Sequence, residues 1–366
     1  MDLQENNLPR IDVALSCDER YFPGLLGTVS SLLASADLSY HYVFHILDGG
    51  ITASSVSKFK SVIKNFKHSA EVDFIQINTN EFSDFPAFFF DSKMAYARLL
   101  LPSLLKIDKV IYIDADILVL KDIAELWEME LQEHAAVCLE TLICTIKNDC
   151  AIYEELGING DAPHFNSGLM VMNLKKFRVD EIALKSFTYL KDYHEHCKIF
   201  DQSALNVILY NKVKYLDSSW NVQSHKKVFN PVLVLEKLKK FEINLHFVTK
   251  DKPWLFFYMQ PEYQMFVRIL EIVGFPLQNF ETYTTDKRAY EFKLKFLNPL
   301  LAYYRAKMVF YRVLKNKNAL DRLKNASAHW QNINKINAAL HREQETIATL
   351  MYDWEIKIKT KMICNG

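Results

Sequence analysis

Between residues 10 and 120 the chain alternates short apolar runs of strand length with stretches whose apolar residues recur at helical spacing, and no other feature restricts its fold as much. Arg10–Cys17 reads as a strand ending in the polar loop Asp18-Glu19-Arg20. Leu25, Leu26, Val29, Leu32 and Leu33 follow Pro23 at helical steps. Residues 42–47 form a second apolar run closed by Asp48-Gly49-Gly50. The pattern then predicts a helix over 52–67, a strand over 72–77 and a helix over 94–101. Lys109–Ile113 is a further strand, and it runs directly into Asp114-Ala115-Asp116. Strands alternating with helices predict βαβ units and a mostly parallel sheet, an α/β fold. Ligands of such sheets sit at the carboxyl ends of the strands. Asp18 and the Asp114/Asp116 pair both fall at such ends.

From about residue 135 the spacing predicts short strands at 135–139 and 168–173, helices at 180–193 and 202–210, and a last strand near Leu245-His246-Phe247. Beyond Phe266 the strand signals fade. We therefore expect a domain over 1–275 and a helical C-terminal region over 276–366, in which residues from Ile333 to Ile358 show amphipathic helical spacing. With 366 residues, half of them apolar, the chain has ample material for a core. Its 44 Lys and Arg balance 44 Asp and Glu, so no overall field favours nucleic acid. Residues 287–327 depart from that balance, with eleven Lys or Arg against Glu291 and Asp321. The first residues lack the basic-then-apolar pattern of a secretory signal, and there is no apolar run of about 18 residues, so the expectation is a cytosolic protein. Six cysteines without a C-x2-C pair indicate reduced thiols and no structural zinc site.

Asp114 and Asp116 interrupt the apolar run from Ile111 to Leu120. Buried carboxylates without partners are costly, and a cation is the economical remedy. Residues i and i+2 of a strand share a face, so both side chains can reach one hard cation at the strand end. Mg²⁺ or Mn²⁺ suits oxygen ligands and could neutralise a departing diphosphate. A pair of solvated turn aspartates is the competing interpretation.

Several ordered motifs together resemble the retaining glycosyltransferases of family 8, which include bacterial lipopolysaccharide galactosyl- and glucosyltransferases and, more remotely, glycogenin. They are Val13-Ala-Leu-Ser-Cys-Asp18-Glu-Arg-Tyr21, Phe44-His-Ile-Leu-Asp48, Tyr96-Ala-Arg98-Leu, Tyr112-Ile-Asp-Ala-Asp116-Ile-Leu-Val, Phe165-Asn166-Ser-Gly168, Asn173-Leu-Lys, Asp201-Gln202, and His246 followed by Lys252-Pro-Trp254. The resemblance implies a GT-A type, Rossmann-like nucleotide-sugar-binding domain. It implies Asp114, Asp116 and His246 as ligands of Mn²⁺, with Mg²⁺ the second choice. Taken alone, His246 would read as a core histidine. The same resemblance puts Ser16, Asp18, Tyr21, Lys93, Arg98, Asp114, Ala115, Asn166 and Lys252 around a UDP-sugar donor, and Asp201 and Gln202 beside the reacting carbon. The competing interpretations are a helix N-cap for Asp18, packing for Tyr21 and a salt bridge for Lys93. Ser203 stands where such galactosyltransferases often carry a second Asp, Thr249 where a glycine is common, and Arg20 where a smaller polar residue is usual. The donor sugar is therefore not fixed by the match.

The family implies retention. A double displacement needs a carboxylate nucleophile, whereas the match offers the amide Gln202, so front-face transfer is expected, with Asp201 as nucleophile the minor alternative. Two other classes stay open. A nucleotidyltransferase could use a carboxylate pair with a metal, but no G-x-x-x-x-G-K-[ST] or G-x-G-x-x-G loop accompanies it. A non-catalytic scaffold is disfavoured because no expected site residue is deleted. The basic segment 292–323 carries Tyr303, Tyr304, Phe310 and Tyr311 among its cations. It resembles membrane-proximal tails of lipopolysaccharide transferases, and it could attract anionic lipid at about 1 kcal/mol per cation, which would place the protein peripherally on the inner face of the cytoplasmic membrane. A solvated helix packed on the core is its competing interpretation. A glycan or glycolipid acceptor is expected, nucleic acid is not, and self-association is left open.

Overall fold

A computed structural model of the chain describes residues 8–87, 91–150, 152–224, 231–256, 260–277 and 343–363, with isolated positions between 288 and 335. The basic aromatic segment 292–323 lies almost wholly outside the described residues. Ten strands are present among them: β1 (Arg10–Cys17), β2 (His41–Asp48), β3 (Ser69–Gln76), β4 (Lys109–Ile113), β5 (Ile117–Leu118), β6 (Ala136–Thr145), β7 (Pro163–Asn173), β8 (Val213–Leu216), β9 (Val222–Gln223) and β10 (Leu245–His246). Seven build one sheet in the order β3-β2-β1-β4-β7-β6-β8. The β1–β2, β2–β3, β1–β4 and β6–β8 pairs are parallel, and β4–β7 and β6–β7 are antiparallel. The mostly parallel sheet predicted from the alternation is present, in the arrangement of a GT-A fold.

β1, β2 and β4 are buried along nearly their whole length. Central strands covered on both faces need continuous apolar runs, which is why these three were the plainest in the sequence. The chain passes from β1 outward to β2 and β3 and then returns to place β4 on the other side of β1. That reversal leaves a crevice at the carboxyl ends of β1 and β4, where a doubly wound sheet binds its ligand. The remaining strands form the small sheet β5-β10-β9. In it β10 is antiparallel to β5, with His246 opposite Ile117, and parallel to β9, with His246 opposite Gln223.

Two local predictions are revised. The helix predicted over 94–101 is a 3₁₀ helix, Met94–Leu100, that continues into a single α turn, Leu101–Leu104. Pro102 has no N–H to give the carbonyl of Arg98, and its ring would crowd that carbonyl, so an α-helical ladder cannot run through. The helix predicted over 180–193 is Ile182–Tyr193, set off from the short helix Leu174–Val179 by Glu181 at φ 52°.

The chain divides into two compact units, one of 1–225, 241–250 and 357–366, the other of 226–240 and 251–356. They are interleaved along the sequence and do not follow a single cut near residue 275. In the second unit the helix Pro261–Ile272 packs Phe266 against Trp254, with ring centroids 5.7 Å apart, and Trp354 donates its indole N–H to Met265 O at 3.0 Å. Arg268 pairs with Glu355 at 2.6 Å. The last helix, Gln344–Lys361, crosses from the second unit to the first at Lys357. Within the first unit its end is tied down: Lys67 N donates to Lys361 O at 2.8 Å, Ile363 N to Asn65 O at 2.7 Å, and Lys361 Nζ to Ala36 O at 2.7 Å, while Ile358 is fully buried. Among the described residues no helix is long and apolar enough to cross a membrane, and Cys17, Cys138, Cys150 and Cys197 are free thiols.

Candidate active site

The carboxyl end of β4 delivers Asp114 and Asp116, and the pairing of β5 with β10 carries His246 alongside them. Phe247 N donates to Asp116 O at 3.0 Å, which fixes the register of the two segments. His246 Nε2 lies 3.0 Å from Asp116 Oδ1 and 3.7 Å from Asp114 Oδ2. One ligand atom from each of the three residues falls within 4.8 Å of the others, and they are the only such His, Cys, Asp or Glu cluster among the described residues. Asp116 and His246 are buried, whereas the Asp114 side chain is 25% exposed, so the cradle opens on the Asp114 side.

Gly168 of β7 makes room for it. Gly168 O accepts Asp114 N at 2.7 Å, and a Cβ on Gly168 would stand 2.6 Å from Asp114 Oδ2 and closer still to His246 Cε1. Two carboxylates and an imidazole converging on one point are the donor set of a divalent cation with oxygen and nitrogen ligands, and the residues present fit one.

Beside the cradle, Arg98 is buried and serves two carboxylates. Nη2 donates to Asp114 Oδ1 at 3.1 Å, and Nε lies 2.9 Å from Asp201 Oδ2. Nε also donates to Ala95 O, Nη1 bonds Ser167 O, and the guanidinium lies 4.4 Å from the centre of the Tyr112 ring. Burial opposes the charge of Arg98, but Asp114 and Asp201 outweigh it and raise its pKa. Asp201 is pushed up to about 6, chiefly by burial and further by Asp114, with Arg98 pulling the other way. One cation shared between two carboxylates cannot fully compensate both.

Tyr112 donates to Asp114 Oδ1 at 2.9 Å and meets Ser16 Oγ at 2.8 Å, so β1 and β4 together hold the first aspartate. Ala115 is buried between the aspartates.

A run of side-chain amides continues from His246. Asn221 Oδ1 is 3.1 Å from His246 Nδ1, and Asn221 Nδ2 donates to Asn166 Oδ1 at 2.8 Å. Asn166 Nδ2 donates to Gln202 Oε1 at 3.0 Å. Gln202 Oε1 also accepts from Ser167 N at 3.1 Å and Ser167 Oγ at 3.4 Å. Ser203, the departure from the family pattern, is buried and donates to Asp149 Oδ1 at 2.8 Å, and Asp149 Oδ2 in turn meets His164 Nε2 at 2.8 Å. That network anchors the start of the helix Phe200–Ile208, which carries Asp201 and Gln202.

The fold thus gathers Asp114, Asp116, His246, Arg98, Asp201, Gln202 and Asn166, with Ser16 reaching them through Tyr112. Asp18 stands at the carboxyl end of β1 and acts there as an N-cap, its Oδ1 accepting from Arg20 N and Tyr21 N at 3.1 and 3.2 Å. Tyr21 is pushed up in pKa by burial and then by the carboxylates of Asp116, Asp18 and Asp114, which puts it within reach of the cradle's charge. Lys93 turns its ammonium to Phe82 O and Ser83 O at 2.9 and 2.7 Å. Lys252 lies in the second unit and is buried. Sequence reasoning missed Tyr112 and Asn221. Tyr112 had a signal, since it is the polar member of an apolar strand two residues before Asp114 and therefore on its face. Asn221 had none.

Comparison with known proteins gives the family and the fold. Residues 12–257 match the family model described as Glycosyl transferase family 8. General stress protein A of Bacillus subtilis is 28% identical over 256 residues, covering 66% of this chain and 86% of that protein. The lipopolysaccharide 1,3-galactosyltransferase of Salmonella typhimurium is 23% identical, covering 72% of this chain and 79% of that one. The crystal structure of galactosyltransferase LgtC in complex with donor and acceptor sugar analogs superposes with a TM-score of 0.58 at 24% identity, over 72% of this chain and 95% of that one, a likeness of fold.

Proposed function

This chain belongs to glycosyl transferase family 8, and from that premise we propose that it moves a hexose, galactose or glucose, from a UDP-sugar to a glycan acceptor with retention at the anomeric carbon. The observation that carries the proposal is the convergence of Asp114, Asp116 and His246 beside the buried Arg98, Asp201 and Gln202. Asp114, Asp116 and His246 would hold a divalent cation, whose chemistry when bound is to neutralise charge on the departing diphosphate. The imidazole in the ligand set favours Mn²⁺ over Mg²⁺.

The protein's own residues do the rest. Arg98 bridges Asp114 and Asp201 by a buried fork that only arginine can supply. Asp18 and Tyr21, with Ser16 alongside, flank the nucleoside at the end of β1. Lys252 assists the diphosphate, whereas Lys93, whose ammonium is held by Phe82 O and Ser83 O, is left out of the donor site. Gln202 Oε1 already accepts three hydrogen bonds, and Asp201 is directed at Arg98. An amide is a poor nucleophile and Asp201 Oδ2 is held by Arg98, which supports front-face transfer, the departing phosphate taking the acceptor proton while Asp201 and Gln202 steady a cation-like sugar. The lipopolysaccharide relative favours a surface glycan as acceptor, and the basic segment beyond residue 286 favours an anionic membrane surface as its place of work.

Hydrolysis of a panel of UDP-sugars in Mn²⁺, with the anomeric configuration of the released sugar followed by NMR, tests the proposal. We expect one UDP-hexose to be cleaved with its configuration kept, and none in EDTA. Inversion would remove the retaining assignment, full turnover in EDTA would remove the metal, and inertness toward every UDP-hexose would remove the donor.

A further inference from the structure

We infer that Asn221 is a positioning residue that sets the tautomer of His246 and joins the metal cradle to Gln202 as one hydrogen-bonded unit; this rests on the metal-dependent reading of the site. The inference follows from two backbone N–H groups, which can only donate.

Ser167 N donates to Gln202 Oε1 at 3.1 Å, so that atom is the amide oxygen and the atom of Asn166 facing it, at 3.0 Å, must be nitrogen. Gly168 N donates to Asn166 Oδ1 at 3.1 Å, which independently fixes the same orientation of Asn166. Asn166 Oδ1 is then the acceptor that Asn221 meets at 2.8 Å, so Asn221 presents nitrogen to Asn166 and oxygen to His246. An oxygen 3.1 Å from His246 Nδ1 requires the proton on Nδ1. The lone pair of a neutral imidazole is thereby left on Nε2, the nitrogen that faces Asp116 and Asp114. A ligating histidine needs that arrangement, and the group on its other nitrogen tunes metal affinity.

Both halves of Asn221 are used, and the two ends can be separated by substitution. Asn221→Asp keeps an oxygen for His246 Nδ1–H but cannot donate to Asn166. Asn221→Leu keeps the approximate volume and loses both bonds. Mn²⁺ binding is measured directly on the full chain by electron paramagnetic resonance, with thermal unfolding of the metal-free proteins as the control for folding. We expect Asn221→Leu to weaken Mn²⁺ binding roughly 10- to 100-fold and Asn221→Asp to stay within about threefold of the wild type. Turnover of the UDP-sugar at saturating Mn²⁺ should fall in both variants, because both release Asn166 and Gln202. In ¹⁵N NMR of the Mg²⁺-loaded wild type, His246 should be protonated at Nδ1 only.

Wild-type Mn²⁺ affinity in Asn221→Leu would overturn the inference. So would equal losses in the two variants, or an Nε2 proton in the Mg²⁺-loaded protein. The readouts are independent of transfer: if Mn²⁺ binding and the tautomer behave as expected while no UDP-sugar is cleaved, the inference about Asn221 stands and the proposed function fails.

Discussion

Single residues in the cradle have separable duties. Asp116 is buried and faces His246 Nε2 at 3.0 Å, so Asp116→Ala should lower Mn²⁺ affinity by about 100-fold or more and abolish turnover while leaving the circular dichroism spectrum intact. Full activity of that variant in EDTA would refute the metal assignment. Gly168 acts by what it lacks. Its missing side chain is the space that Asp114 and His246 occupy, and Gly168→Ala should cost about tenfold in Mn²⁺ affinity without unfolding the chain. Unchanged affinity would mean that the two ligands yield to a methyl group. Lys252 is tested by comparing ligands that differ only in phosphate. Lys252→Ala should weaken UDP binding far more than uridine binding, and equal losses would exclude a diphosphate role.

Among the secondary-structure elements, the helix Pro261–Ile272 carries a clear electrostatic liability. Glu262 in its first turn is buried, and burial pushes its carboxyl up to about 8, with only its own backbone N–H pulling it down. A helix N-terminus favours negative charge, but here desolvation wins. The unfolded chain releases this proton near the ordinary glutamate value, about 4.3, while the folded chain holds it to about 8. Between those values the unfolded state binds fewer protons, so the stability contributed by the protonated form is complete at acid pH and is lost as pH rises through the window. Glu262→Gln should therefore raise the thermal midpoint at pH 8.5, do little at pH 4.5, and flatten the slope between them. A wild-type slope retained in the variant would place the charge elsewhere.

For the molecule as a whole, the return of the chain to the first unit decides what can be removed. A cut near residue 285 would separate the basic segment from every motif that matches the family, but it would also delete Lys357–Gly366, which belongs to the first unit. At least the three hydrogen bonds named above and the buried Ile358 would go with it. At about 1 kcal/mol per bond and about 2 kcal/mol for the side chain, the loss approaches 5 kcal/mol. Removing 357–366 alone should thus lower the thermal midpoint by several degrees, and an unchanged midpoint would show that the segment is expendable. Membrane attachment is better tested by charge reversal inside 287–327 than by truncation. The full chain should sediment with anionic vesicles at low salt and release as salt rises, since screening shortens the reach of those charges. Vesicle binding that ignores salt would argue against an electrostatic anchor.

The sequence by itself determined the sheet and the two aspartates. β1, β2 and β4 were legible because strands covered on both faces require unbroken apolar runs, and Asp114 and Asp116 stood out because carboxylates inside such a run need a reason. Their order with Arg98, Asp201, Gln202 and His246 carried the family resemblance. Tertiary structure decided the rest. His246 reaches the aspartates through β5, β9 and β10, each two residues long; only β10 showed in the sequence, and its partners are too short for any periodicity to register. Asn221 is tied to a histidine 25 residues away by one hydrogen bond, and nothing in its neighbours announces that. Lys93 turned to two carbonyls ten and eleven residues back, and the last ten residues came back to the first unit. Each of these depends on partners distant in the chain, and local pattern cannot report a contact whose other half lies elsewhere.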